Sequence, residues 1–234
     1  MLDSAQADYA ALTWDREPYL RKLDGMVYGD DPRQGYFDGQ AFYHPELKFQ
    51  VVFPAGWRTN NGFSAVTGLA EKQDGLLQLE LGGTEPIATQ LQTFLAQQGV
   101  TAGATSKAAV NGLPAVSAQF GAQLEKGPVK GYIAFITYGG RNYRLLAIAT
   151  DAQFAAYDAP MRVWARSFRP LTDAARINVR PTRIKIVKLG GPMTVTAFNA
   201  RYPSVIPVDR VALLNGVATD ATFPAGKLVK QVVK

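Results

Sequence analysis

The chain has 234 residues, 47% of them hydrophobic and 19% charged, with a formal net charge of +6, no cysteine and one histidine. Its length and apolar content suffice for one large core or two smaller ones. The missing cysteines exclude disulfides, thiolate zinc sites and cysteine nucleophiles, and the lone imidazole of His44 excludes a self-contained catalytic zinc site, which draws mainly on histidines.

A Ser-His-Asp triad would have to use His44, and no Gly-x-Ser-x-Gly elbow occurs. Residues 132–137 and 145–150 are the longest apolar stretches, far short of the roughly 20 residues that span a bilayer, so no transmembrane segment is expected. Acids occupy the N-terminus, Met-Leu-Asp-Ser-Ala-Gln-Ala-Asp-Tyr, where a signal peptide needs a basic and then an apolar stretch. No export signal is expected in the chain as it stands.

In chain order, Glu17-Pro18 followed by Tyr19, Leu20 and Leu23 predicts a short helix, and the run of Gly, Asp and Pro from Tyr28 to Gly35 predicts an extended connector. From Ala41 the pattern turns to strands. Phe49-Gln50-Val51-Val52-Phe53 stops at Pro54, and Asp74-Gly75, Asn111-Gly112 and Gly139-Gly140 lie between apolar runs as hairpin turns. Two helices interrupt this sheet. Thr84 is positioned to cap the first, with Pro86 in its first turn, Ile87, Leu91, Phe94 and Leu95 on one face, and Gly99 ending it. The second starts near Asp151 and carries Phe154, Tyr157, Met161, Trp164 and Phe168; Pro160 predicts a kink or a split into two helices, the later one from about Asp158. After Leu171 the order is strand (183–187), helix (194–202), helix (207–214) and strand (228–233).

The expected class is therefore α+β: an antiparallel-sheet sandwich with packed helices, then a small strand-helix-helix-strand domain. We divide the chain into an N-terminal helical segment and connector (1–40), the sandwich (41–172) and a basic tail domain (173–234). Charge supports the last division. Residues 176–234 hold ten Lys and Arg against Asp209 and Asp220, a balance of +8, whereas the rest of the chain holds 15 basic and 17 acidic residues, a balance of −2.

Four stretches carry a resemblance: Phe42-Tyr43-His44-Pro45-Glu46-Leu47, Phe53-Pro54-Ala55-Gly56-Trp57, Asn111-Gly112-Leu113-Pro114-Ala115 and Arg166-Ser167-Phe168-Arg169-Pro170-Leu171. Together they resemble a PsbP-like sandwich, a fold of binding and assembly proteins. The run from Leu23 to Gly35 resembles the connector that leaves the peptidase domain in secreted CAAX-prenyl-protease-like zinc metalloproteases, peptidase family M forty-eight. Arg180-Pro181-Thr182-Arg183-Ile184-Lys185-Ile186-Val187 and Leu213-Leu214-Asn215-Gly216 resemble the end of the same proteins, and the tail's element order resembles a LysM module. Where such modules read Pro-Gly-Asp-Thr-Leu, this chain has Leu189-Gly190-Gly191-Pro192-Met193-Thr194, which alters the loop framing the sugar groove.

The resemblance covers nearly the whole chain but not the catalytic core, whose His-Glu-x-x-His helix and downstream Glu have no counterpart here. It implies a non-catalytic accessory region, with no cofactor of its own and zinc only in an upstream peptidase domain. It also implies a periplasmic or secreted parent protein. The alternative is a free-standing PsbP-like binding protein for a protein or small ligand. Candidate envelope-binding residues are Arg183, Lys185, Lys188, Lys227 and Lys230, whose charge suits peptidoglycan-associated polymers or anionic lipid; no nucleic-acid-binding aromatic motif accompanies them. The plain structural reading of Arg183, Lys185, Lys227 and Lys230 is the solvent side of two strands, where lysine also guards exposed edges. His44 beside Pro45 reads as a structural hydrogen-bonding residue, Trp57 and Trp164 as core rather than a sugar platform shared with Trp14, and Asp24, Asp30, Asp31 and Asp38 as solvated connector rather than a calcium loop.

Overall fold

Helix α1 (Arg16–Lys22) is the first element of the computed structural model, which describes residues 16–234. Trp14 lies outside the described residues. The chain divides into two units, Pro32–Val179 and a second that joins the residues up to Asp31 with Arg180–Lys234.

Hairpins organise the larger unit. Seven strands form one antiparallel sheet in the order β4-β5-β6-β10-β9-β8-β7: β4 (Arg58–Asn61), β5 (Ala65–Leu69), β6 (Gly75–Leu81), β7 (Val100–Ser106), β8 (Ala115–Leu124), β9 (Gly127–Tyr138) and β10 (Arg141–Thr150). The β9–β10 turn falls on Gly139-Gly140, with φ of 57° and 72°. Both central residues of such a two-residue turn take positive φ, which glycine adopts without strain. A second sheet, β1-β2-β3-β11, comprises β1 (Tyr36–Asp38), β2 (Ala41–His44), β3 (Phe49–Val52) and β11 (Arg169–Pro170).

Alternation along the long strands makes both faces of the large sheet apolar. One face joins Leu77, Leu79, Ile136, Tyr143 and Leu145 to Phe42, Phe49 and Phe53 of the small-sheet region and to Met161, Trp164 and Phe168. Phe49 stacks on Phe168 with centroids 5.1 Å apart. Burial in this core pushes the Tyr143 hydroxyl pKa up to about 12. On the opposite face, helix α2 (Ile87–Leu95) sets Leu91 and Phe94 against Val116, Ala118, Phe120 and Ile133.

One helix cap differs from the sequence expectation, and of the two outcomes expected at Pro160 the split into two helices does not occur. Pro86, not Thr84, is the N-cap of α2; instead the Gln90 amide reaches back to both N–H and C=O of Gly83, and Asn142 donates to Gly83 and Glu85. Helix α3 (Phe154–Arg166) runs through Pro160 without dividing. Proline costs such a helix about 3 kcal/mol. Burial of Met161 and Trp164, each fully shielded, offsets it at about 1.5–3 kcal/mol per large side chain. A short helix, α4 (Ala174–Ile177), closes this unit; Arg176 pairs with Asp38 at 2.6 Å and lies 4.7 Å over the Tyr43 ring.

In the smaller unit β12 (Arg183–Lys188) pairs antiparallel with β15 (Leu228–Val233), and the short β13 (Met193–Thr194) with β14 (Thr222–Phe223). Between them lie α5 (Val195–Arg201), capped by the Thr194 hydroxyl accepting from Ala197 N–H, and α6 (Val208–Leu214). Their core is Leu189, Val195, Phe198, Val211, Ala212, Phe223 and Val229. Residues 24–28, between α1 and the start of the expected connector, line the free edge of β12. Gly25 N–H donates to Ile184, Tyr28 N–H to Thr182, Ile184 N–H to Met26, and the Asp24 carboxylate accepts from Ile186 N–H. An exposed strand edge presents unpaired N–H and C=O groups, and residues 24–28 satisfy them here.

Candidate functional site

The basic residues of the smaller unit are placed by β12 and β15. Directly opposed residues of an antiparallel pair share a face, so the register Arg183↔Val233, Lys185↔Gln231 and Val187↔Val229 puts Arg183 and Lys185 on the same face as the core residue Val229. Ile186↔Lys230 and Lys188↔Leu228 put Lys188 and Lys230 on the other face. The five candidates are thus split between two faces of one ribbon, with Lys227 in the turn before β15.

Their surroundings differ as much as their faces. Arg183 Nη1 donates to Gly25 C=O at 2.6 Å, Lys230 Nζ to Leu214 C=O at 2.8 Å, and Lys227 Nζ lies 5.1 Å over the Phe223 ring. Lys188 is exposed, with its Nζ 3.9 Å from the Glu17 carboxylate of α1. Lys185 is exposed and makes no hydrogen bond or ion pair among the described residues. Arg201 and Arg210 at the helix surfaces, and Lys234 at the chain end, are also exposed, and sequence reasoning did not single them out. Helical periodicity is the signal that could have: both arginines fall off the apolar stripes of α5 and α6. Of the five candidates only Lys185 is without a partner among the described residues; Arg201 lies 5.6 Å over the Tyr202 ring, so the free positive charge of this unit rests on Lys185 with Arg180, Arg210 and Lys234. Residues 16–31 bring four acids against three basic residues and place Glu17 and Asp24 against β12, so part of the tail's charge is neutralised from within.

The remaining sequence candidates are in packing roles. His44 accepts from Leu47 N–H through Nδ1 at 3.2 Å and has the Phe49 ring 5.3 Å away; burial lowers its pKa from the ordinary 6.5 against opposing pulls from Glu46 and a backbone hydrogen bond. Trp57 lies in the core edge-on to Tyr157 at 5.3 Å, and Trp164 in the core 5.7 Å from Phe53. Asp38 is engaged by Arg176, and Asp24 by the Ile186 amide. Among the described residues no three His, Cys, Asp or Glu side chains are grouped to hold a metal ion, and no helix is long and apolar enough to cross a membrane.

No protein-family model and no curated protein matches this sequence. Solved structures with similarity to it include cyanobacterial PsbP from Synechocystis, with a TM-score of 0.45 and 10% identity over 56% of this chain and 91% of that one. LpqN of Mycobacterium tuberculosis, a protein involved in cell envelope biogenesis, aligns with a TM-score of 0.42 and 14% identity over 67% of this chain and 96% of its own. A protein of unknown function from Pseudomonas aeruginosa gives 0.37 and 14% over 53% and 92%.

Proposed function

We propose that this chain is a non-catalytic binding region, that it serves as the accessory part of a bacterial envelope zinc metalloprotease, and that its smaller unit attaches to an anionic envelope surface. Lys185, Arg210 and Lys234, exposed and without a hydrogen bond or ion pair among the described residues, carry the reading, because such cations are free to meet an external anionic surface. The connector and tail motifs that resemble the metalloprotease family support the parentage. The occupied, partly buried His44 supports the absence of catalysis, since its Nδ1 is already committed to Leu47. In this reading zinc belongs to an upstream peptidase domain, and the parent protein is periplasmic or secreted.

Salt separates charge from sugar recognition. The Debye length falls from about 10 Å at 0.1 M salt to about 3 Å at 1 M, so attachment by charge weakens steeply across that range. The full chain is expected to sediment with phosphatidylglycerol vesicles, or with purified peptidoglycan, at low salt and to be released at 1 M. Charge reversal of Lys185 together with Arg210 should reduce the bound fraction at low salt. Absence of sedimentation with either surface at low salt overturns the attachment. Casein cleavage that depends on added zinc and co-purifies with the chain overturns the non-catalytic reading.

The free-standing binding protein is the second reading, supported by an open groove of about 500 Å³ in the sandwich unit, lined by Ser117 and Gln119 of β8 and Arg166 of α3. The gene decides between them: a reading frame that continues upstream into a His-Glu-x-x-His segment belongs to the accessory region, and an isolated frame belongs to the free-standing protein.

A further inference from the structure

Helix α3 does not cover the whole inner face of the large sheet. It packs over β9 and β10 and leaves the inward positions of β8, Ala115, Ser117 and Gln119, facing a groove of about 500 Å³. The floor is set by strand register. Ser106 of β7 stands opposite Ser117, which stands opposite Ala134, and Gln119 stands opposite Tyr132 in the next row. Directly opposed side chains lie about 5 Å apart at Cβ, so hydroxyl and amide groups crowd one strip of sheet. The α3 wall presents Arg162, Ala165 and Arg166. Asn111 ties the far rim to the helix end by donating to the carbonyls of Arg166 and Phe168, each at 2.8 Å.

Several of these polar groups have no protein partner. Ser117 is only 9% exposed, yet its hydroxyl makes no hydrogen bond among the described residues. The side chains of Gln119 and Tyr132 and the guanidinium of Arg166 make none either. Arg162 is engaged by Asp158 one helical turn earlier, so that pair is neutral and Arg166 leaves one net positive charge at the groove. The Ser117 hydroxyl is not among the fully buried atoms left without a partner, so water in the groove reaches it, and a ligand that displaces this water can take up the same hydrogen bonds. Small methyl groups of Ala115, Ala134 and Ala165, with the Tyr132 ring, supply apolar surface between the polar groups.

We infer that this groove binds a monosaccharide-sized polyol bearing a single anionic group, with the anion on Arg166, hydroxyls on Ser117, Gln119 and Ser106, and the carbon skeleton over the Tyr132 ring and the alanine methyls. The volume is in the range of small-ligand pockets, in which a few placed polar groups set orientation on an apolar lining. A guanidinium recognises carboxylate and phosphate alike by paired N–H donors, so the shared chemistry is a sugar acid or a sugar phosphate.

Titration of the ¹⁵N-labelled full chain with glucuronate, glucose 6-phosphate and glucose tests it. Saturable shifts are expected at Ser106, Ser117, Gln119 and Arg166 with at least one of the two anions, and the stronger of them names the anionic group. Glucose should bind about tenfold or more weakly, as loss of one charge-assisted hydrogen bond implies. Arg166→Gln, at an exposed position, should lower affinity for the anion about tenfold and leave thermal stability unchanged. Ser117→Ala should lower it for anion and glucose by the same factor. Shifts absent from these residues with both anions, or glucose binding as tightly as the anions, overturn the inference. Arg166→Gln with undiminished anion binding also overturns it. Failure of the chain to bind vesicles or peptidoglycan leaves this result untouched, because the groove lies wholly within Pro32–Val179.

Discussion

The sandwich unit and the smaller unit bury sheet faces by opposite means. In the sandwich, adjacent hairpins build the sheet and aromatic rings fill it; Phe49, Tyr143 and Phe168 connect through Phe42 and Phe37 to Phe53 and Trp164. In the smaller unit the core is a handful of side chains, and a segment more than 150 residues away in sequence completes the ribbon edge. A buried asparagine ties helix to strand: Asn215 donates through Nδ2 to Val211 and Lys230 carbonyls, and its Oδ1 accepts from Lys230 N–H. The first unit rests on apolar volume and the second on directed hydrogen bonds. Volume tolerates change in proportion to the cavity made, whereas a buried polar network fails when one member is removed.

Trp164→Ala is the strongest test of that contrast. Removing a fully buried indole should destabilise the sandwich by about 3–5 kcal/mol, read from urea unfolding. Amide resonances of residues 183–233 should stay where they are. If they collapse with the sandwich, the two units do not hold their folds separately and the comparison breaks. Trp164→Phe should cost much less, because the indole N–H it removes is buried without a partner.

Asn215→Ala comes next. It strands the Lys230 N–H and C=O beside a residue only 6% exposed, at about 1–3 kcal/mol, while the Val211 carbonyl keeps the backbone N–H of residue 215. A small unit has little stability in reserve, so the β12 and β15 amides should lose hydrogen-exchange protection while β9 and β10 keep theirs. Equal loss in both sheets would mean that Asn215 acts on more than its own unit.

Sequence legibility follows the same line. Elements specified by neighbours in the chain were readable: the Gly139-Gly140 hairpin, α1 after Glu17-Pro18, the helix beginning at Thr194, and the strand-helix-helix-strand order of the tail. What depends on distant partners was not. Nothing local to Thr84 shows that Gln90 and Asn142 will hold the chain before α2, and Pro160 alone cannot reveal how much buried surface keeps α3 continuous. The pairing of residues 24–28 with β12 joins parts of the chain that share no local signal. For the candidate site, alternation placed Lys185 on the solvent side, where it is exposed, but the sequence could not show that Arg183 and Lys230 would be spent on backbone carbonyls. The groove was invisible for a related reason. Its inward serine and glutamine look like ordinary alternation in β8 until the limited reach of α3 leaves them uncovered.

A smaller effect probes how far the borrowed segment matters. Asp24→Ala removes the carboxylate acceptor of the Ile186 amide, and exchange at Ile186 should quicken about tenfold with little change in the sandwich. An unchanged Ile186 rate would show that the backbone pairs at Gly25 and Tyr28 alone secure the edge.

The smallest expected effect uses pH to tell the units apart, because the chain's single histidine lies in the sandwich. Burial holds the folded His44 pKa below its ordinary 6.5, with Glu46 and a backbone hydrogen bond opposing in part. Between the two values the unfolded chain binds a proton that the folded chain refuses, so stability rises with pH there. The contribution is complete above pH 6.5, declines as pH falls through that value, and levels off once the folded pKa is passed. Carboxylates titrate lower, around pH 4, which leaves roughly pH 5 to 6.5 as the window in which the imidazole dominates. His44→Asn retains an acceptor for the Leu47 amide and removes the titration. Sandwich stability in urea, followed by the near-ultraviolet signal of its buried aromatics, should therefore lose its slope across this window in the variant. Exchange protection of β12 and β15, with no imidazole in their unit, should be flat in both proteins once corrected for intrinsic exchange. A slope in the tail that disappears with His44→Asn would show the two units coupled through protonation of the sandwich, and the separation drawn between them would fail at its finest scale.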